Sequence, residues 1–175
     1  RNLPAKSSVT STKPTLILPK FAQIGPAQGN IQVSADGARA LIQNATPATS
    51  VTVVNLKTGK IAAEVPIPGC WQINMAPAGD KFSSLCGDGT MLTVKLGPDG
   101  KILGQAHSKP FFDVEKDPLF THSQRVDGDL MFVSYSGVLY RVSDKGDAAE
   151  LVDTFAFAKG VPGDWAPGEI GRAHV

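Results

Sequence analysis

Glycine and proline interrupt this chain so often that a helical fold is excluded. Together they supply 31 of its 175 residues, spread along the whole length. The longest run free of both is Asp147 to Lys159, 13 residues, and the next is Ala48 to Thr58, 11 residues. A helical protein needs many uninterrupted runs of helix length, because interior Pro breaks the hydrogen-bond ladder and interior Gly weakens it. Apolar residues make up 42% of the chain, which is enough for a packed core and too many for a disordered polymer.

Between the interruptions lie short, β-branched or alternating runs bounded by turn dipeptides. Ser50 to Asn55 and Lys60 to Pro66 flank Thr58-Gly59 and read as a hairpin. Thr90 to Leu96 and Lys101 to His107 flank Asp99-Gly100 in the same way. Val138 to Ser143 runs to Lys145-Gly146 and a strand near Ala149 to Asp153. Strands at Ala38 to Gln43, Lys81 to Leu85 and Leu130 to Tyr135 each follow a turn glycine. Those glycines recur: Gly37, Gly79 and Gly128 are 42 and 49 residues apart, and Gly59, Gly100 and Gly146 are 41 and 46 apart. Positive φ in tight turns is the reason to expect Gly there. Four strands in each 40–50-residue unit is the pattern of β-propeller blades, since one meander buries both faces only by stacking on others.

The expectation is therefore an all-β chain, a β-propeller fragment of about three four-stranded antiparallel blades. The blades are read as 21–69, 70–110 and 111–159. Residues 1–20 are read as an N-terminal segment or the end of a preceding blade, and 160–168 as a loop toward the next. A small all-β sandwich is the competing fold. The last seven residues, 169–175 (EIGRAHV), look like a translated piece of a sequencing adapter, which would end the natural frame near Gly168 and remove His174 from any chemistry. Three blades cannot close a ring, so two blade faces should lie open, carrying apolar residues such as Val53, Leu92, Val94, Phe132 and Val133.

Charge narrows the function. Lys and Arg total 17 against 16 Asp and Glu, a net charge of +1. That balance argues against nucleic acid or an anionic membrane surface as partner. No stretch approaches the ~20 apolar residues that membrane insertion as a helix requires.

An ordered series of short motifs carries a resemblance. It runs through QNATPATSV at Gln43–Val51, Gly69-Cys70-Trp71, CGDG at Cys86–Gly89 and Leu92-Thr93-Val94. It continues through Ser108-Lys109, Asp117–Phe120, Phe132–Tyr135 and Asp164–Gly168. From about Leu18 to Gly168 the chain resembles the heavy (α) subunit of the quinoprotein amine dehydrogenases, with the aromatic amine branch looking closer than the methylamine branch. The resemblance implies a seven-bladed propeller and a periplasmic heterotetramer of two heavy and two light chains. It implies that tryptophan tryptophylquinone sits on the light chain and not on this one. That group oxidises a primary amine to an aldehyde and ammonia, and electrons leave singly to a blue copper protein. The heavy chain is then a scaffold. The alternative is a stand-alone periplasmic propeller that binds a ligand or protein. A propeller hydrolase would need a carboxylate or amide cluster on the axis, which the motifs do not supply.

Few residues stand out as chemistry. Cys70 and Cys86 match the family's heavy-chain cysteines and are read as a disulfide; two buried free thiols are the other reading. Trp71 reads as a packing aromatic and Trp165 as a loop anchor, not as a cross-linked cofactor. His107 and His122 flank an acidic run (Asp113, Glu115, Asp117) that reads as a solvated connection before it reads as a metal site. Asp88, Asp127 and Asp129 read as turn acceptors. Phe111 and Phe112 are candidate partner-facing aromatics, with inter-blade packing as the plainer account. No catalytic, cofactor-binding or metal-binding residue is assigned.

Overall fold

The computed structural model describes residues 27–162. Residues 1–26 and 163–175, which include the N-terminal segment, the start of the first unit, the Trp165 loop and the EIGRAHV tail, lie outside the described residues. A 3-10 turn at Gln28–Asn30 leads into twelve strands. They are β1 (Ile31–Val33), β2 (Arg39–Asn44), β3 (Ser50–Asn55), β4 (Lys60–Pro66), β5 (Cys70–Met75), β6 (Lys81–Cys86), β7 (Met91–Leu96), β8 (Ile102–His107), β9 (Gln124–Val126), β10 (Asp129–Val133), β11 (Val138–Ser143) and β12 (Glu150–Ala156). They form three four-stranded sheets, each in chain order, with antiparallel neighbours throughout. The fold is all-β, and each sheet is a meander of the propeller-blade kind.

Glycines close the hairpins as the turn geometry demands. Gly37, Gly59, Gly79, Gly100 and Gly128 all have φ between +65° and +86°. Gly146 does not share this conformation, so the expectation fails there: the β11–β12 turn is held through Lys145 instead. The Lys81 ammonium donates to the Lys145 carbonyl at 2.7 Å and to the Gly146 carbonyl at 3.1 Å.

Strand alternation builds the interior. On β6 and β7, Phe82, Leu92, Val94 and Leu96 face the first sheet and meet Leu41, Val51, Val53 and Val65. The other face of the same strands turns Leu85 and Met91 toward Leu130, Phe132 and Val142 of the third sheet. The middle sheet is thus buried on both sides. This corrects the expected open faces: Val53, Leu92, Val94 and Phe132 are buried between sheets, and Val133 is half-buried. The far face of the first sheet is also buried, through Ala40, Asn44, Thr52 and Val54. Large apolar side chains are exposed on each sheet, among them Ile31 of β1 at 59%, Leu103 of β8 at 71% and Phe155 of β12 at 65%.

The sheets converge at their first strands. Gln32 of β1 accepts the Met75 N–H of β5 at 3.0 Å. Ser123, just before β9, donates to the Asn74 side chain of β5. The fourth strands, by contrast, leave an open groove between the second and third sheets.

Candidate functional site: an outer groove and an inner amide cluster

Cys70 and Cys86 are directly opposite in the β5–β6 ladder and are joined by a disulfide. The bridge closes one end of that strand pair, where the Gly87 N–H also donates to the Gly69 carbonyl at 2.9 Å. From Cys86 the chain turns through Asp88. Asp88 Oδ1 accepts the Thr90 N–H at 3.0 Å and the Thr90 hydroxyl at 2.6 Å. These two bonds hold the Asp88 carboxyl below the usual carboxylate range, the hydroxyl having the larger effect. Thr90 Oγ1 lies 3.0 Å from Nδ1 of His107 at the end of β8.

That turn also seats the two candidate aromatics. The Phe111 N–H donates to the Gly89 carbonyl at 3.0 Å, and the Phe112 carbonyl sits where a side chain on Gly89 would begin. The Phe111 and Phe112 rings are 5.2 Å apart and tilted by 58°. Both are half-buried and, with Tyr140, pack against the core between the second and third sheets. Their remaining surface lines a groove of about 940 Å³, together with His107, Lys109, Glu150 and Leu151. Core packing and surface presentation are therefore combined in one pair of side chains.

Other sequence-selected residues separate. His107 lies on the outer groove, whereas His122 lies in a small pocket of about 20 Å³ near the first strands, beside Gln72 and Asn74. Among the described residues no group of three or more His, Cys, Asp or Glu side chains is arranged to hold a metal. Trp71 is half-buried on β5, opposite Leu85. Asp129 is not a turn acceptor but a buried ion-pair centre, accepting from Arg141 Nε at 2.7 Å and facing the Lys145 ammonium at 2.8 Å. Its carboxyl is held low by Lys145 first and Arg141 second.

Two features have no counterpart in the sequence reading. Gln72 has φ +65° in a non-Gly residue, at an irregularity in the β5–β6 ladder. Its amide donates to Asn30 at 3.2 Å, in an inner cluster of amides with Gln32 and Asn74. The second is the Asp88–Thr90–His107 chain, whose members meet only through strand register.

Stacked four-stranded meanders with these clamps define a segment of a β-propeller, and solved structures agree. The complex of the fission yeast SREBP–SCAP binding domains matches with a TM-score of 0.56 at 13% identity, over 89% of this chain and 44% of that one. A functionally unknown protein from Desulfotomaculum acetoxidans also gives 0.56 at 13% identity, over 71% of this chain and 40% of that one. The β-propeller domain of a Myceliophteria thermophila protein gives 0.52 at 15% identity, over 73% and 42%. At such identity these likenesses concern the fold alone.

Sequence carries the assignment further. Residues 18–172 match the family model described as methylamine dehydrogenase heavy chain, and the chain belongs to that family. The methylamine dehydrogenase heavy chain of Methylorubrum extorquens is 29% identical over 128 residues, covering 70% of this chain and 30% of that protein. The chain thus spans less than a third of the length of this curated relative. No helix among the described residues is long and apolar enough to cross a membrane.

Proposed function

We propose that this chain is part of the scaffold subunit of a periplasmic amine dehydrogenase and is not catalytic by itself. The observation that carries this reading is the family match over residues 18–172. In the proposed assembly a light chain bears tryptophan tryptophylquinone, and a second heavy chain completes a heterotetramer. When bound, the quinone supplies oxidation of a primary amine to an aldehyde and ammonia, and the electrons pass to a blue copper protein.

This chain's part is positional. Its sheets are cross-braced by cations that reach carbonyls of the following sheet, such as Arg39 to Gly79 at 3.0 Å and to Pro98 at 2.9 Å. Such bracing suits a rigid support for a partner. Phe111 and Phe112, half-buried and fixed to the Gly89 turn, are the proposed partner-facing aromatics; rigid aromatic anchors of this kind often dominate interface energy.

Purified chain, free of light chain, is expected to give no amine-dependent reduction of a dye acceptor. Co-expression with an amine dehydrogenase light chain should give a co-purifying complex with turnover. Turnover by the chain alone would overturn the scaffold reading. So would failure of a correctly matured light chain to associate with the heavy chain.

A further inference from the structure

The outer groove holds charges that its own neighbours leave unanswered. At the exit of β8 the Ser108 hydroxyl is buried; it accepts the Met91 N–H at 2.9 Å and donates to the Lys109 carbonyl at 2.8 Å. Alternation about that anchor sends His107 and Lys109 to the same side, and both line the groove. An ionised Asp88 only accepts, so the Thr90 hydroxyl proton points to Asp88 and His107 Nδ1 donates to Thr90. Nε2 is then the nitrogen left for a ligand. It is a lone pair on the neutral ring and a second N–H donor on the protonated one.

The facing groups sharpen the preference. Lys109 has no carboxylate partner among the described residues. Asp113 is already satisfied, accepting the Glu115 and Lys116 N–H groups at 3.0 and 3.1 Å and pairing with the Lys116 ammonium at 3.2 Å. Burial pushes the Tyr140 phenol up, so it stays neutral. Glu150 is the remaining acid on the rim. The floor is apolar, formed by Phe111, Phe112, Tyr140 and Leu151.

We propose that this groove binds an amphipathic carboxylate. The carboxylate sits between Lys109 and protonated His107, and the apolar or aromatic body lies on Phe111, Phe112 and Tyr140. Charge-assisted hydrogen bonds to two cations fix the head group, and ring contacts hold the body. A volume of about 940 Å³ accommodates a ligand of small-molecule size. A protonated imidazole gives the carboxylate a second charged donor beside the Lys109 ammonium. The other charged or titratable groups that line the groove are Asp113, Tyr140 and Glu150, and Asp88 reaches the ring through Thr90. The proposal rests on this geometry and not on the subunit assignment.

The test is an NMR titration of the full chain with 3-phenylpropionate, followed at the His107 ring signals. The uncharged 3-phenylpropanamide and the cationic 3-phenylpropylamine are the controls. The expected result is a saturable shift for the carboxylate, and affinity several-fold higher at about pH 5.5 than at about pH 8. Both controls should bind on the order of tenfold more weakly, the worth of about 1.4 kcal/mol of charge pairing. A His107→Gln, Lys109→Met double variant that keeps its circular dichroism should lose the preference. No saturable shift at either pH, or an amine bound as tightly as the carboxylate, overturns the proposal without recourse to any variant.

Discussion

Asp129 opens β10 with 3% of its side chain exposed, yet it is held as an anion. Arg39 and Lys81 open β2 and β6 as cations and brace the following sheet through its turn carbonyls. In the third sheet the sign reverses, and Asp129 draws Arg141 and Lys145 onto itself. Its carboxyl is depressed in the folded state, so its contribution is present above the unfolded value near ~3.9 and is lost as pH falls through the folded one. Asp88 follows the same rule. Acid should therefore destabilise the chain below about pH 4. Asp129→Asn should lower the melting temperature at neutral pH and flatten the acid limb; an unchanged limb would count against this account. A second buried pair gives a larger effect. Arg125 grips Asp144 with two bonds of 2.8 Å and also donates to the Gly128 and Met75 carbonyls at 2.8 and 3.2 Å. Asp144→Ala leaves that guanidinium unpaired in a site 19% exposed, at an expected cost of about 3–5 kcal/mol in chemical denaturation. None of these pairs was legible in the sequence. Asp127-Gly128-Asp129 looks like turn chemistry until β10–β11 register brings Arg141 alongside. Asp88 and His107 meet only because β7 and β8 pair.

At the scale of elements, turns were the legible part. Alternating runs and Gly-containing dipeptides marked the hairpins because each hairpin is specified locally. The three-residue strands β1 and β9 escaped notice because so short a run shows no period. The Gly89 turn shows what local reading misses. Gly89 has φ +81°, and a Cβ there would lie 2.4 Å from the Phe112 carbonyl oxygen. Gly89→Ala should cost about 1–3 kcal/mol, combining backbone strain with a contact that the backbone must shift to relieve. Gly37→Ala meets open space and should cost less, which makes it the control. If the two variants unfold alike in denaturant, the close approach to Phe112 is not important. The disulfide belongs to the same region. Intact mass should rise by two hydrogens on reduction of the Cys70–Cys86 bridge. Replacing both cysteines with Ser should cost about 3 kcal/mol, the entropy-model value for a loop of this size. Two freely alkylated thiols in folded, non-reduced protein would contradict the bridge.

The whole molecule is governed by stacking. The middle sheet buries both faces because it has a sheet on each side, and the first sheet's far face is also buried. The third sheet differs. Val133, Leu139 and Phe155 occur in one cross-strand row on the side away from the core, and Phe155 is 65% exposed. Of this row only Val133 was among the residues expected to lie open, because periodicity says which residues alternate but not which face has a neighbour. An uncovered apolar sheet face favours association, and a propeller covers such faces by stacking a further blade. The chain on its own is therefore expected to form oligomers, or to melt broadly at low temperature. Phe155→Lys should shift it toward monomer without loss of strand content, since β12 keeps its pairing with β11. Size-exclusion chromatography with light scattering, run beside thermal melts, measures both. A sharp, cooperative monomer from the unaltered chain would show that the third sheet's open face needs no cover.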